Sequence, residues 1–384
     1  MRAGFNPFIV GGAIDPEYFC DRKEESEKLI RTVTSGNNMV LISPRRMGKT
    51  GLIQYCFGRP ELKDAYRTFY IDILSTTSLA EFILLLGREV YRRLQPLGAK
   101  GVAKFMASMQ SIAGSFGFDP VSGMPTFNLQ LGDIHHPEYT LNEIFSYLAS
   151  SDKPCIVAID EFQQVMNYPE GNVEALLRSH IQRLSNANFI FAGSERHMLR
   201  EMFMESARPF YLSATIMELG PIAEDVYSDF TESLFNKFGK RVDKEIVDKV
   251  YGLFDGHTFY LQRTFNNAFT LTAEGGCCTL ETVELAITDM LNSNATIYRE
   301  ILSNIPAKQK KLLLAIAMNG RVEAITSAQF ITANGLQTAS SVQNSIKQLL
   351  KSDIVSKNSG YSITDPLLCI WIRSEYGPEP FNLF

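Results

Sequence analysis

Short apolar runs of strand length alternate with stretches of helical spacing through the first half of the chain. The runs are Met39–Ser43, Thr68–Leu74, Pro154–Phe162 and Phe189–Ser194. Between them, apolar residues recur at helical intervals up to about Thr34 and over Thr50–Phe57, Leu79–Leu94, Thr140–Ala149 and Val173–Ser185. Asp21 is placed to cap the first of these, with acids in the turn that follows. Met198–Met204 adds one more amphipathic turn set, whose methionines read as packing. Strands that alternate with helices predict an α/β fold: a parallel sheet with helices on both faces. Ligands of such sheets bind at the carboxyl ends of the strands.

The second half reads differently. From about Ile222 one helix follows another, over Ala223–Phe238, Lys244–Phe254, Thr258–Ala273 and Thr279–Leu302, with no strand-like alternation between them. A third unit begins near Pro306 and runs to Tyr376. Helices are expected at Lys308–Met318, Ser327–Ala333 and Ala339–Leu350, with Gly335 in the turn between the last two. Ile354–Thr364 then reads as a hairpin turning at Asn358-Ser359-Gly360. Helix, helix, helix, hairpin is the order of a winged helix. The expected organisation is therefore an α/β domain over 1–220, a helical subdomain placed as its lid over 221–304 and a winged-helix domain over 305–384. A glycine- and proline-rich stretch at 98–132 interrupts the first domain. Both a lid-like element and a mobile loop remain open for it.

The chemistry sits at two strand ends. Met39-Val40-Leu41-Ile42 runs into Ser43-Pro44-Arg45-Arg46-Met47-Gly48-Lys49-Thr50, which fits the last three positions of the phosphate-loop pattern and has Ser43 for its first glycine. Gly48 lets the backbone curl so that amides face a phosphate. Lys49 reaches the β- and γ-phosphates, and Thr50 offers a hydroxyl to Mg²⁺. The nucleotide set expected of this loop is Ser43, Pro44, Arg45, Arg46, Met47, Gly48, Lys49, Thr50 and Gly51. The strand ending at Asp160-Glu161 supplies the partner motif. Asp160 would serve the metal shell, and Glu161 would orient or deprotonate the attacking water. Ser194, at the tip of a third strand, is placed to feel the γ-phosphate, to cap the helix that begins near Glu195, or to do both. His257, opening a helix of the lid, either faces the nucleotide or is a plain cap.

Bulk properties trim the picture. The chain has 384 residues, 45% hydrophobic and 21% charged, with a formal net charge of −5. That is ordinary for a globular protein and argues against broad electrostatic adhesion to nucleic acid or anionic membrane. No apolar run approaches a membrane span, and the first residues lack an apolar core of signal-peptide length, so the expected address is the cytoplasm. The six cysteines show no Cys-x-x-Cys pair and read as reduced and structural. His135-His136 lacks partners at ligand spacing and reads as loop. In the third unit, the helix carrying Gln343, Asn344, Lys347 and Lys351 would enter a groove if DNA is bound. It has no arginine, and a module packing on the α/β domain or on a protein partner stays open.

Taken together, Asn6-Pro7-Phe8, Phe19-Cys20-Asp21-Arg22-Lys23-Glu24-Glu25, the Ser43–Thr50 loop, Ile159-Asp160-Glu161-Phe162-Gln163, Ala192-Gly193-Ser194 and Gly256-His257 carry a resemblance. The chain resembles, nearly end to end, the prokaryotic P-loop ATPases of the AAA-like and STAND-type group, often called archaeal-type ATPases. The resemblance implies ATP with Mg²⁺, a helical lid, and a C-terminal winged helix. It also implies that the Phe19–Glu25 region, with Arg22, lies near the adenine. Family members often have Gly-His-Pro where this chain has Gly256-His257-Thr258. Arg183, Arg196 and Arg208 are candidates for an arginine acting across an interface, and Arg208-Pro209-Phe210-Tyr211 resembles a family stretch without a known role. The function expected is an ATP-hydrolysing switch that moves the lid and winged helix. The alternative is an ATP-responsive adaptor or regulator that does not hydrolyse it and holds DNA, a protein or a second copy.

Overall fold

The structure is a computed structural model that describes residues 5–12, 15–94, 107–118, 125–357, 360–377 and 382–384. It divides into two compact units, Ala13–Gly220 on one side and Met1–Gly12 with Pro221–Phe384 on the other.

The first unit is built on five parallel strands. They are β1 (Met39–Ile42), β2 (Arg67–Asp72), β3 (Cys155–Asp160), β4 (Ala187–Gly193) and β5 (Thr215–Glu218), in the order β2-β3-β4-β1-β5. Every residue of β1 and β3 is buried, as expected where helices cover both faces. The two-residue strand period divides the side chains between two cores. Val40, Ile42, Val157, Ile159, Phe189 and Phe191 pack on one face with the Leu79–Leu94 and Pro137–Ala149 helices. Met39, Leu41, Ile156, Ala158, Ile190 and Ala192 pack on the other with the Lys23–Thr34 and Lys49–Gly58 helices. The register pairs Ile42 with both Gly193 and Glu218, and Asp72 with Asp160. All five strands therefore end on one edge, where Ser43, Asp72, Asp160, Ser194 and Glu218 collect.

Strand β5 is absent from the pattern of apolar runs. Thr215-Ile216-Met217-Glu218 buries only Met217. What makes it a strand is pairing with β1, closed by Thr215 N–H on Asn38 O at 2.8 Å and Leu219 N–H on Ile42 O at 2.8 Å. Asp21 does not cap the first helix as expected. The N-cap is Arg22, and Asp21 Oδ1 instead accepts from Lys23 N–H at 3.1 Å.

Part of the 98–132 stretch falls outside the described residues, at 98–106 and 119–124. The rest is folded. Met109, Ile112 and Leu129 join the sheet core, Phe116–Phe118 pairs antiparallel with Pro125–Phe127, and the buried Glu143 carboxylate accepts from the Gln110 and Ser111 amides.

In the second unit, the helices Glu224–Lys237, Lys244–Leu253, Thr258–Leu271 and Leu280–Asn304 follow one another. One short parallel pairing, Arg241–Val242 with Cys277–Cys278, interrupts them where none was expected. The Asn6–Phe8 segment belongs here. Phe8 is fully buried against Phe235, Phe265 and Phe269, and Asn266 Nδ2 donates to Phe8 O at 2.6 Å. The winged helix follows as Ala307–Asn319, Ala328–Ala333, Ala339–Lys351 and the hairpin Val355–Lys357 with Tyr361–Ile363. Gly335, at φ 56°, makes the left-handed turn between its second and third helices. A closing helix, Pro366–Tyr376, was not foreseen. Asp365 caps it, Pro366 occupies its first turn, and it buries Leu367, Leu368, Ile370, Trp371 and Ile372.

Candidate nucleotide site

The phosphate loop leaves β1 with Ser43 N–H on Gly193 O at 3.3 Å. Ser43 is buried and its hydroxyl donates to Pro44 O at 2.8 Å. The left-handed positions of the loop are Arg46 and Gly48, at φ 63° and 93°. Ser43 is not among them, so this loop turns without a first glycine. Alternating backbone handedness aims successive amides inward, which makes an anion-binding hollow at the N-terminus of Lys49–Gly58. Pro44 is half-buried, Arg45 and Arg46 are exposed, Met47 is buried, and Gly51 lies in the first turn of that helix. Arg22, 5% exposed, donates to Met47 O at 3.3 Å and pairs with Glu25 at 2.9 Å. Arg22 thus braces the loop from behind. Beside it, Phe19 stacks on Tyr55 with centroids 4.3 Å apart.

The lysine and the acid pair meet. Lys49 Nζ is 3.4 Å from Glu161 Oε1 and 4.0 Å from Asp160 Oδ1. Thr50 Oγ1 donates to Asp160 Oδ2 at 2.8 Å. The same carboxylate oxygen accepts from Tyr70 Oη at 2.7 Å. Glu161 sits in the left-handed region at φ 56°, a conformation that costs a non-glycine residue about 1–2 kcal/mol. Its Oε2 accepts from Gln163 Nε2 at 2.7 Å, Ser194 Oγ at 2.8 Å and Ser194 N–H at 3.2 Å. Burial raises the Glu161 carboxyl, but Lys49, Gln163 and the two Ser194 donors outweigh it and hold the group below the usual glutamate range. Burial and the charges of Asp160 and Glu161 push Asp72 the other way, above the usual aspartate range.

Ser194 therefore faces the acid pair. The N-cap of the Arg196–Met204 helix is Glu195, so the capping role weighed for Ser194 is not the one it has. His257 belongs to the second unit, as N-cap of Thr258–Leu271, with its ring 5.0 Å from Tyr260. Arg208 is paired with Glu174 at 2.8 Å and Arg196 with Glu218 at 3.3 Å, while Arg183 is exposed at a helix end. Two residues of the site carried no role in the sequence. Tyr70 is one of several polar positions in its strand, beside Arg67, Thr68 and Asp72, and nothing in the order of residues singles it out. Gln163 follows the acid pair, but only the fold turns it back onto Glu161.

Residues 19–264 match a family described as an ATPase domain predominantly from Archaea, and residues 296–374 match a probable winged helix domain. The chain belongs to this archaeal-type ATPase family. Among solved structures, a Walker-type ATPase of Pyrococcus abyssi is 18% identical with a TM-score of 0.66, covering 96% of this chain and 99% of its own. The ORC2 protein of Aeropyrum pernix, solved in ADPNP–ADP complexes, is 15% identical with a TM-score of 0.61, covering 96% and 98%. At these identities the likeness is one of fold. No curated protein matches the chain. As a member of this ATPase family it is a P-loop protein of the ATP-binding type, with a winged helix at its C-terminal side. Among the described residues no helix is long and apolar enough to cross a membrane.

Proposed function

We propose that this chain binds ATP with Mg²⁺ and hydrolyses it, using the nucleotide state to reposition the helical lid and winged helix. The convergence of Lys49, Thr50, Asp160 and Glu161 carries the reading. The donor set suits the ion. A hydroxyl and a carboxylate are hard oxygen ligands, and Mg²⁺ commonly takes one or two of these with the rest from phosphates and water. When bound, it would neutralise phosphate charge. Among the described residues no cluster of three or more His, Cys, Asp or Glu could hold a metal without such help.

Lys49, buried between two carboxylates, exchanges those partners for the phosphates. The loop amides and the helix N-terminus bind the phosphate oxygens. Glu161, held ionised, accepts a hydrogen bond from the attacking water and aligns it. Ser194, bonded to Glu161, would report loss of the γ-phosphate through that carboxylate. Arg22 supports the loop and flanks the adenine. The ADPNP and ADP complexes of the ORC2 protein support the choice of nucleotide.

Phosphate release by the parent chain and by Glu161→Gln tests this. Turnover in the parent and a loss of about 100-fold or more in the variant are expected. A parent without turnover above background overturns hydrolysis, and firm ATP binding would then mark a nucleotide-responsive adaptor.

Gln343, Asn344, Lys347 and Lys351 are all exposed, opposite the buried Val342, Ser345, Ile346 and Leu349. This face is the surface offered to a partner. A salt-dependent DNA mobility shift lost on Lys347→Glu would assign the partner as nucleic acid, and no shift at low salt would favour a protein partner.

A further inference from the structure

We infer that Gln163 is a positioning residue for Glu161, holding one carboxylate oxygen so that the other is presented to the reacting centre. The inference rests on the hydrolytic reading above and adds a residue to it.

The two Glu161 oxygens have different surroundings. Oε2 takes Gln163 Nε2, Ser194 Oγ and Ser194 N–H, all within 3.2 Å. Among the described residues Oε1 has only Lys49 Nζ, at 3.4 Å. Lys49 is the group that a triphosphate would draw away. Oε1 is then left open while Oε2 stays fixed by three donors. A carboxylate anchored through one oxygen is a base with a single orientation, which is what near-attack geometry requires.

Gln163 is also built for this one contact. It is 2% exposed, and its Oε1 has no hydrogen-bond partner among the described residues. A glutamine kept for packing alone would be expected to satisfy both ends of its amide, since a buried unpaired acceptor costs about 1–3 kcal/mol. This one satisfies only the end that serves Glu161. The backbone makes room for it. A Cβ on Gly193 would stand 2.1 Å from Gln163 Oε1 and 2.8 Å from Leu199 Cδ1. Gly193 has no positive φ, so it is the close approach of the glutamine and Leu199, and not backbone handedness, that excludes a side chain there. Glu161, in its left-handed conformation, turns its carboxylate toward this pocket.

Gln163→Met keeps the volume and removes the donor. Steady-state ATP hydrolysis, ATP affinity by titration and thermal melting are measured for the parent, Gln163→Met, Glu161→Gln and the double variant. The expected result is a fall in kcat of about 10- to 100-fold for Gln163→Met with ATP affinity unchanged within about twofold. The double variant should be no slower than Glu161→Gln alone, because the glutamine acts through the carboxylate. Gly193→Ala, which displaces Gln163 without changing its chemistry, should lower kcat in the same way. Unchanged kcat in Gln163→Met, or an equal further loss in the Glu161→Gln background, overturns the positioning role and leaves the hydrolytic reading intact. A parent chain that does not turn over ATP removes both.

Discussion

Tyr260 and Asp365, 105 positions apart, share a hydrogen bond of 2.6 Å in the second unit. The same carboxylate oxygen caps the Pro366–Tyr376 helix through Leu367 N–H at 2.9 Å and Leu368 N–H at 3.2 Å, and the other oxygen accepts from Tyr298 at 3.3 Å. One aspartate thus ties the helix opened by His257, the long Leu280–Asn304 helix and the closing helix of the winged-helix segment. Both tyrosines are almost fully buried.

Asp365→Ala removes a cap, worth about 1 kcal/mol, and two tyrosine hydrogen bonds, each worth about 0.5–1.5 kcal/mol. A loss of about 2–4 kcal/mol is expected from denaturant unfolding. Tyr298→Phe, which removes the longer of the two bonds and leaves the cap, should cost less than half of that. Equal losses would mean that the cap contributes little.

Asp160 Oδ2 takes two hydroxyls, from Thr50 and Tyr70. Thr50→Val should weaken Mg-dependent ATP binding at least tenfold while Tyr70 still orients the carboxylate. Tyr70→Phe should leave ATP affinity within about threefold and raise the Mg²⁺ concentration needed for half-maximal turnover, since outer partners of a metal ligand commonly contribute 10–100-fold to metal affinity. A magnesium titration at saturating ATP separates the two.

Lys49→Ala should abolish measurable ATP binding in a fluorescent-nucleotide titration. It also leaves two neighbouring carboxylates without their cation, so the free protein should melt lower than the parent. Unchanged affinity would remove the loop from the site.

Burial pushes the Cys20 and Cys56 thiols up to about 12. At pH 8 the thiolate, the reactive species, is then about one part in ten thousand. Iodoacetamide followed by mass mapping should label the exposed Cys277 within minutes and reach Cys20 and Cys56 only after unfolding. The sign is fixed by the direction of the shift: raising the pH toward 12 increases the buried thiols' reactivity. Rapid labelling of Cys56 in the folded chain at pH 8 would show that the Lys49–Gly58 helix opens away from the sheet.

Helices and strands with a strong apolar signal were legible to within a few residues. Leu79–Leu94 was read at its observed limits, and the β1 and β3 runs are buried throughout because both faces of the sheet are covered. The elements that escaped are those whose stability comes from a distant partner. Strand β5 exists through β1 and the Arg241–Val242 pairing through Cys277–Cys278, while the Pro366–Tyr376 helix is announced only by the short Asp365-Pro366 start signal directly after the wing.

Chemical identity at the site was local information. Gly48, Lys49 and Thr50 after one buried strand, and Asp160-Glu161 after another, stand in the order of residues because a phosphate hollow and a strand-end acid are each built from consecutive positions. Which groups press on those residues was not local. Tyr70 on Asp160, Gly193 making space for Gln163 and Ser194 turned to the base rather than to its own helix all depend on parallel strands being laid side by side in one register. Hydrogen-bond reach is about 3 Å, and only the folded sheet decides which side chains, far apart along the chain, come within it.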